Sequence, residues 1–489
     1  MGLLTRTKLF DSVGGEGRPA YPVNLFFKLD PLAALVNALA GRALYIGLAW
    51  SLVILIPTLF LGRFFCGWIC PVGSLNQFVG GIGSDSKRRR ALIASNRYKK
   101  WQATKYFLLI AGLLAAVWRS SVLGWIDPFS LSVRSTGVSL LPAAASRKFY
   151  VVYQPHYGLS VVLGAAFLAL LAMNLRVTRF WCRALCPLGA LMGFAARWSI
   201  LGLHKDAATC NQCSRCLMGC QGGDDPVGGV PWHKAECHLC MNCVEACPHG
   251  SLQFRFSRPS LKTPEVAGTS LARRWTLAAV VTGLAAVPVL RAASPWGKSR
   301  NQSQIRPPGA LDETDFLSRC IRCGECVRVC PNHALTPTFT EAGLEGVWSP
   351  ALTPKIGYCE PSCVLCSEVC PTGAIAELTS SQKGWVAAEG SSSAPVRLGT
   401  AVYDRERCLP WAKGTDCVVC VEWCPVSPSA IYVEDAAVVD AGGKTRTLKR
   451  PHVDPSRCVG CGACEYACPI QDQPAVCVTS MGESRSRHR

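Results

Sequence analysis

The chain contains no glycine-rich loop that would cradle a phosphate and no residues set out as a nucleophile with its base. Phosphoryl transfer and hydrolysis are left without machinery. Acidic residues are also scarce: 32 Asp and Glu stand against 51 Lys and Arg, a formal charge of +19 over 489 residues. Such an excess invites a nucleic-acid partner. Its distribution argues otherwise, because the basic residues lie largely beside apolar runs, in SDSKRRR (84–90), NRYKK (96–100) and at Arg176, Arg179 and Arg183. No nucleic-acid partner is expected.

Cysteine, by contrast, is abundant, with 29 residues. Disulfide-dense proteins are usually short secreted domains that cannot bury enough core. This chain is long and 49% hydrophobic, with a mean hydropathy of +0.21, so its cysteines need another reason. Their spacing supplies it. CNQCSRCLMGC (210–220) and CHLCMNCVEACP (237–248) both read C-x2-C-x2-C-x3-C, the bacterial ferredoxin spacing. Three cysteines in one tight loop take three corners of a cubane, and the fourth, leaving on a short helix, reaches the neighbouring cluster. Cys210, Cys213, Cys216 and Cys247 are therefore expected to hold one [4Fe-4S] cluster, and Cys237, Cys240, Cys243 and Cys220 another. Gln221 stands where a proline usually follows.

Four more sets follow. Cys320, Cys323, Cys326 and Cys330 keep the spacing, as do Cys458, Cys461, Cys464 and Cys468. Cys359, Cys363, Cys366 and Cys370 open the first gap by one residue, and Cys408, Cys417, Cys420 and Cys424 open it to eight. Structural zinc is the competing reading, but it wants two separated pairs, not three ligands in one turn. About six [4Fe-4S] clusters are expected, two in 204–260 and four in 301–489. Each brings roughly −2 with its thiolates, so together they offset about 12 of the positive charges. Cys477 is left over and reads as a buried thiol, while His233, His238 and His249 read as solvated. A row of one-electron centres with no substrate-converting site is a wire.

Three apolar runs, 43–62, 106–125 and 157–175, lack a polar face and match the length of a bilayer crossing. The fold class expected is a multi-domain membrane protein: an α-helical transmembrane bundle with α+β bacterial-ferredoxin-like domains. Buried core helices are the competing reading. Two of the runs end in near copies, RFFCGWICPVGSL (63–75) and RFWCRALCPLGAL (179–191). Their Cys66, Cys70, Cys182 and Cys186, in C-x3-C-P pairs, are candidates for a redox or metal relay, for dithiol pairs, or for thiols that simply pack the repeat. The flanking basic residues put both pairs on the cytoplasmic face. The repeat extends to LDPLAAL (29–35) and IDPFSL (126–131). Only the second is reached from a preceding run, so either 1–42 is an exoplasmic segment or an initial span is missing; the missing span is the expectation.

Arg273 and Arg274 open a short apolar run, 270–294, that suits a twin-arginine export signal or, alternatively, a plain basic flank. Thiols exported unfolded into an oxidising compartment would be oxidised, so clusters would have to be inserted first and the chain exported folded. The domains expected are thus 1–42, the membrane domain 43–203, a two-cluster ferredoxin domain 204–260, an export signal or anchor 261–300 and a four-cluster domain 301–489.

Residues 29–260 resemble the NapH family of membrane ferredoxins, through CGWICP, CRALCP and the double-cluster tail. Residues 270–480 resemble NapG, its exported partner, through the arginine pair, FLSRCIRCGECVRVCP, the stretched CLPWAKGTDCVVCVEWCP and CVGCGACEYACP. The resemblance implies electron transfer from membrane quinol toward a periplasmic reductase or cytochrome, as one component of a quinol dehydrogenase in the inner membrane. Residues 204–260 would then be cytoplasmic and 301–489 periplasmic. His156 and Asp127 are weak candidates for accepting quinol protons. The alternatives are a NosR-like donor of electrons for metalloenzyme maturation, or a polyferredoxin that faces the cytoplasm throughout.

Overall fold

The computed structural model describes residues 24–43, 45–85, 87–140, 160–257, 269–292, 304–339, 341–385, 395–439, 445–470 and 472–485. Residues 1–23 and His156 lie outside them. The chain divides into two compact units, one formed by Leu25–Leu140 with Gly158–Val289, the other within Leu290–Arg489.

None of the described helices is long and apolar enough to cross a membrane, which overturns the expected transmembrane bundle. The reason lies in what interrupts each run. The first becomes a 3-10 segment, Ile46–Ser51, and a ten-residue helix, Leu52–Leu61, with Pro57 inside it. The second ends as a helix at Val117; Arg119 then turns left-handed (φ 63°) and Val122–Trp125 is 3-10. The third gives the helix Ser160–Ala172 and a 3-10 turn, Met173–Leu175. The longest of these three helices has 14 residues and is roughly 21 Å long, against about 30 Å of hydrocarbon. The helix Thr269–Ala292 is longer, but it carries Arg273, Arg274 and Arg291 and contains Pro288.

The internal repeat is real, and proline positions it. Asp30 and Asp127 each cap a helix that begins with proline: Asp30 accepts from Leu32 N at 2.8 Å, and Asp127 from Ser130 N at 2.7 Å. Both are buried. Each Cys-Pro does the same with sulfur. Cys70 Sγ accepts from Gly73 N at 3.4 Å and Cys186 Sγ from Gly189 N at 3.2 Å, at the starts of helices Pro71–Asp85 and Pro187–Ala195. The C-x3-C stretch is thus the join between a one-turn helix and a longer one.

Buried arginines pack between the two copies. Arg179, ahead of the second motif, donates to Cys66 O at 2.7 Å in the first. Arg63, ahead of the first, lies over Gly189 in the second, where an added Cβ would sit 2.9 Å from its Nη2. Arg183 donates to Ser95 O, Arg97 O and Gln102 Oε1 at 3.0–3.2 Å. Arg63, Arg179 and Arg183 are fully buried.

Their counter-charge is Glu236, also buried, which accepts from Lys105 Nζ and from Tyr106 OH (3.0 Å) and lies 4.0 Å from Arg63. Burial pushes this carboxyl up, yet Lys105 and Arg63 together hold it below the usual carboxylate range. In the same unit, strands Leu201–Lys205 and Leu252–Phe256 pair antiparallel, with Leu203 opposite Phe254. They carry the core of Leu203, Leu217, Val227 and Leu252 on which Cys216, Cys220 and Cys243 pack.

The carboxy-terminal unit is built on three short antiparallel pairs: Leu335–Pro337 with Pro350–Leu352, Thr400–Tyr403 with Val476–Thr479, and Ile431–Val439 with Thr445–Val453. On strand Val476–Thr479 the side chains alternate, Val476 and Val478 inward, so Cys477 is exposed and not the buried thiol expected.

Lys105→Met should destabilise the amino-terminal unit by about 3–5 kcal/mol at neutral pH, because it strands a buried carboxylate. Lys105→Met with Glu236→Gln should recover most of that loss, as read by chemical denaturation.

Candidate iron–sulfur sites

A seven-residue loop can aim three sulfurs at one point only if its backbone turns the unusual way. In the four regular loops the second residue after the first cysteine and the residue after the second cysteine are left-handed: Gln212 and Ser214 (φ 55° and 58°), Leu239 and Met241 (53° and 63°), Arg322 and Gly324 (58° and 80°), Gly460 and Gly462 (71° and 87°). Five are neither glycine nor asparagine and hold a strained conformation, of the order of 1–3 kcal/mol each. The stretched loops escape this strain, since Val364 and Val418 after their second cysteines have φ −128° and −129°. With one residue inserted, the loop at Cys359 closes without a left-handed turn, and the longer loop at Cys408 places its left-handed residue at glycine, Gly414 (φ 59°).

Around these loops the cysteines meet in fours. Cys210, Cys213 and Cys216 line a recess with Cys247. Cys320, Cys323 and Cys326 line another with Cys370. Cys458, Cys461 and Cys464 meet Cys424, and Cys408, Cys417 and Cys420 meet Cys468. Cys237, Cys240 and Cys243 have Cys220 as their neighbour, and Cys359, Cys363 and Cys366 have Cys330. In every set the fourth ligand comes from the partner motif.

These sites fit a cubane and not a single ion. Among the described residues no group of three or more His, Cys, Asp or Glu is arranged to hold one metal ion, whereas zinc would draw four sulfurs to about 2.3 Å of one point. All 29 cysteines are free thiols. Burial pushes the thiols of Cys243 and Cys461 up to about 12, so their thiolates need a strong positive partner such as iron.

Several groups that touch these sulfurs carried no signal in the sequence. Lys383 Nζ lies 3.4 Å from Cys359 Sγ, Tyr403 OH 3.0 Å from Cys420 Sγ and Ser251 Oγ 3.1 Å from Cys247 Sγ. Cys220 Sγ donates to Asp224 Oδ1 at 2.7 Å.

Cys66, Cys70, Cys182 and Cys186 are all buried and face one another at the centre of the repeat. Their loop packs directly on the ferredoxin loop. A Cβ on Gly67 would fall 2.1 Å from His238 O, and Trp68 Nε1 donates to Leu239 O at 2.9 Å. His238 is 1% exposed and not solvated as expected, because the repeat covers it. His233 stacks on Tyr98 at 3.9 Å, and His249 meets Asn211 at 2.8 Å. Arg273 and Arg274 lie in the helix Thr269–Ala292.

Loops of this geometry in cross-paired fours define a polyferredoxin, a ferredoxin-type electron-transfer protein that binds multiple [4Fe-4S] clusters. Family models agree: a 4Fe-4S binding domain matches 43–90 and 158–203, a second of that description matches 230–253 and 316–336, and a 4Fe-4S dicluster domain matches 413–471. The ferredoxin-type protein NapG of Escherichia coli is 35% identical over 197 residues, 40% of this chain and 78% of NapG. The methylamine utilization ferredoxin-type protein MauM of Methylorubrum extorquens is 35% identical over 200 residues, 40% of this chain and 80% of MauM. The putative electron transport protein YccM of E. coli is 27% identical over 236 residues, 47% of this chain and 60% of YccM. No solved structure matches. The chain belongs to the NapG family of ferredoxin-type proteins.

Alkylation of the anaerobically isolated protein should modify Cys477 alone, and all 29 cysteines after unfolding and removal of iron. Peptide mass mapping checks both.

Proposed function

We propose that the chain is an electron conduit from membrane quinol toward a reductase or cytochrome outside the cytoplasm. The observation that carries this reading is the six cross-paired cysteine quartets, alongside which no substrate-converting motif stands. When bound there, [4Fe-4S] clusters supply reversible one-electron transfer. The protein's own part is to hold them in fixed order. Gly67 against His238 keeps the C-x3-C-P quartet beside the site of Cys237 and Cys240. The backbone bond from Cys359 N to Cys461 O, 2.8 Å, joins two quartets of the carboxy-terminal unit.

In this reading Cys66, Cys70, Cys182 and Cys186 form the relay nearest the donor, and Arg273 and Arg274 direct export of the carboxy-terminal unit in its folded, loaded form. A quinol analogue added to the anaerobic protein should reduce the cubanes, seen by EPR. A protein reduced by dithionite but never by quinol would refute the donor. Cys66→Ser with Cys182→Ser should slow reduction by quinol at least tenfold and leave reduction by dithionite intact. Arg273→Lys with Arg274→Lys should leave the carboxy-terminal unit protease-protected in spheroplasts, where the native chain is cleaved.

A further inference from the structure

The polar stretch 380–399 interrupts the cysteine array with no motif of its own, yet it sends one lysine into the interior. Thr379 and Gln382 form a capping box that fixes a single helical turn, Ser380–Lys383. The turn ends at Gly384, left-handed at φ 70°. Lys383 is completely buried at its end. Its Nζ meets Cys359 Sγ at 3.4 Å, Glu360 O at 2.6 Å and Cys363 O at 2.9 Å, and lies 4.0 Å from the centre of the Trp385 ring. Trp385 is buried too, and its Nε1 donates to Val396 O at 2.6 Å. A sulfur, two carbonyls and an indole face are all partners for a cation.

We infer that Lys383 sets the reduction potential of the cluster held by Cys359, Cys363, Cys366 and Cys330, by fixing a positive charge against one of its ligand sulfurs. The inference rests on the reading that this quartet holds a cubane. Reduction adds one electron, and so one negative charge, to the cluster. A buried ammonium at hydrogen-bond distance from a ligand thiolate favours that added charge and raises the potential, and the low local dielectric strengthens the effect. Tyr403 makes the neutral counterpart at Cys420, with a hydroxyl in place of the charge.

The position of this charge gives it a role. Cys359 is also the residue whose N–H reaches Cys461 O at 2.8 Å, so the tuned cluster is the one at the junction between the two cross-paired modules of this unit. Tyr358, Trp423 and Tyr466 cluster at the same junction, with ring centroids 5.5–6.0 Å apart. Lys383 would therefore favour the electron at the junction, beside the backbone hydrogen bond that joins the two modules.

The test is a potentiometric EPR titration of the full chain and its Lys383→Met, Lys383→Gln and Lys383→Arg variants, with iron and sulfide assayed in each. The signal that moves is identified as the one whose line shape Cys359→Ser alters. Lys383→Met and Lys383→Gln should shift that single midpoint to lower potential, leave the others in place and keep the native iron content. Lys383→Arg should stay close to the native midpoint. Unmoved midpoints in loaded neutral variants would overturn the inference. So would loss of that cluster from both neutral variants while Lys383→Arg stays loaded, which would make the lysine a scaffold. A native chain without cubane iron would instead refute the function proposed above, whatever the lysine does.

Discussion

Much in both units follows from one demand: a single loop must aim three sulfurs inward. The left-handed turns that achieve this set the loop's residues. Glycine meets the demand at 324, 460 and 462 without strain, whereas Gln212, Ser214, Leu239, Met241 and Arg322 meet it at a cost. Iron–sulfur ligation offsets that cost, and it also supplies the positive partner that the buried thiolates require. Successive backbone N–H groups in such turns form a concavity suited to an anion, which is what a thiolate-ligated cubane is.

The second demand is electrostatic. Five arginines, at 63, 179, 183, 306 and 322, are completely buried. Two hold the carbonyls of cysteines: Arg179 that of Cys66, Arg322 that of Cys320. Arg306 instead grips Glu313, which is half-buried and which it and Arg485 draw down to about 2. Part of the formal +19 is thus internal, placed beside sites that become anionic when loaded. An excess that looks like a surface property from composition is partly an interior one.

This division explains what was legible beforehand. Ligand spacing is local, so the cysteine sets could be written down from the sequence, with the crossed fourth ligand for 210–247; which motif completes which in the carboxy-terminal unit needed the fold. Lys383, Tyr403 and Asp224 were not legible, because each reaches its sulfur through a fold that no spacing encodes. The membrane bundle was misread for a different reason. Hydropathy averages over a window and does not see that Pro57, Arg119 or the turn at Met173 ends the helix. The role of Arg179 was hidden in plain view: it stands three residues before Cys182, but only the packed repeat shows that it serves the other motif, at Cys66 O.

The crossed ligands have a consequence for how such a chain can grow. Motif 320–330 is completed by Cys370 and motif 359–370 by Cys330, and 408–424 and 458–468 complete each other likewise. No motif can close its own cage, so a gene cut or duplicated between two partners yields a pair of three-legged stools. Lineages of these proteins should therefore gain and shed their metal in even numbers, with the couple as the smallest heritable part.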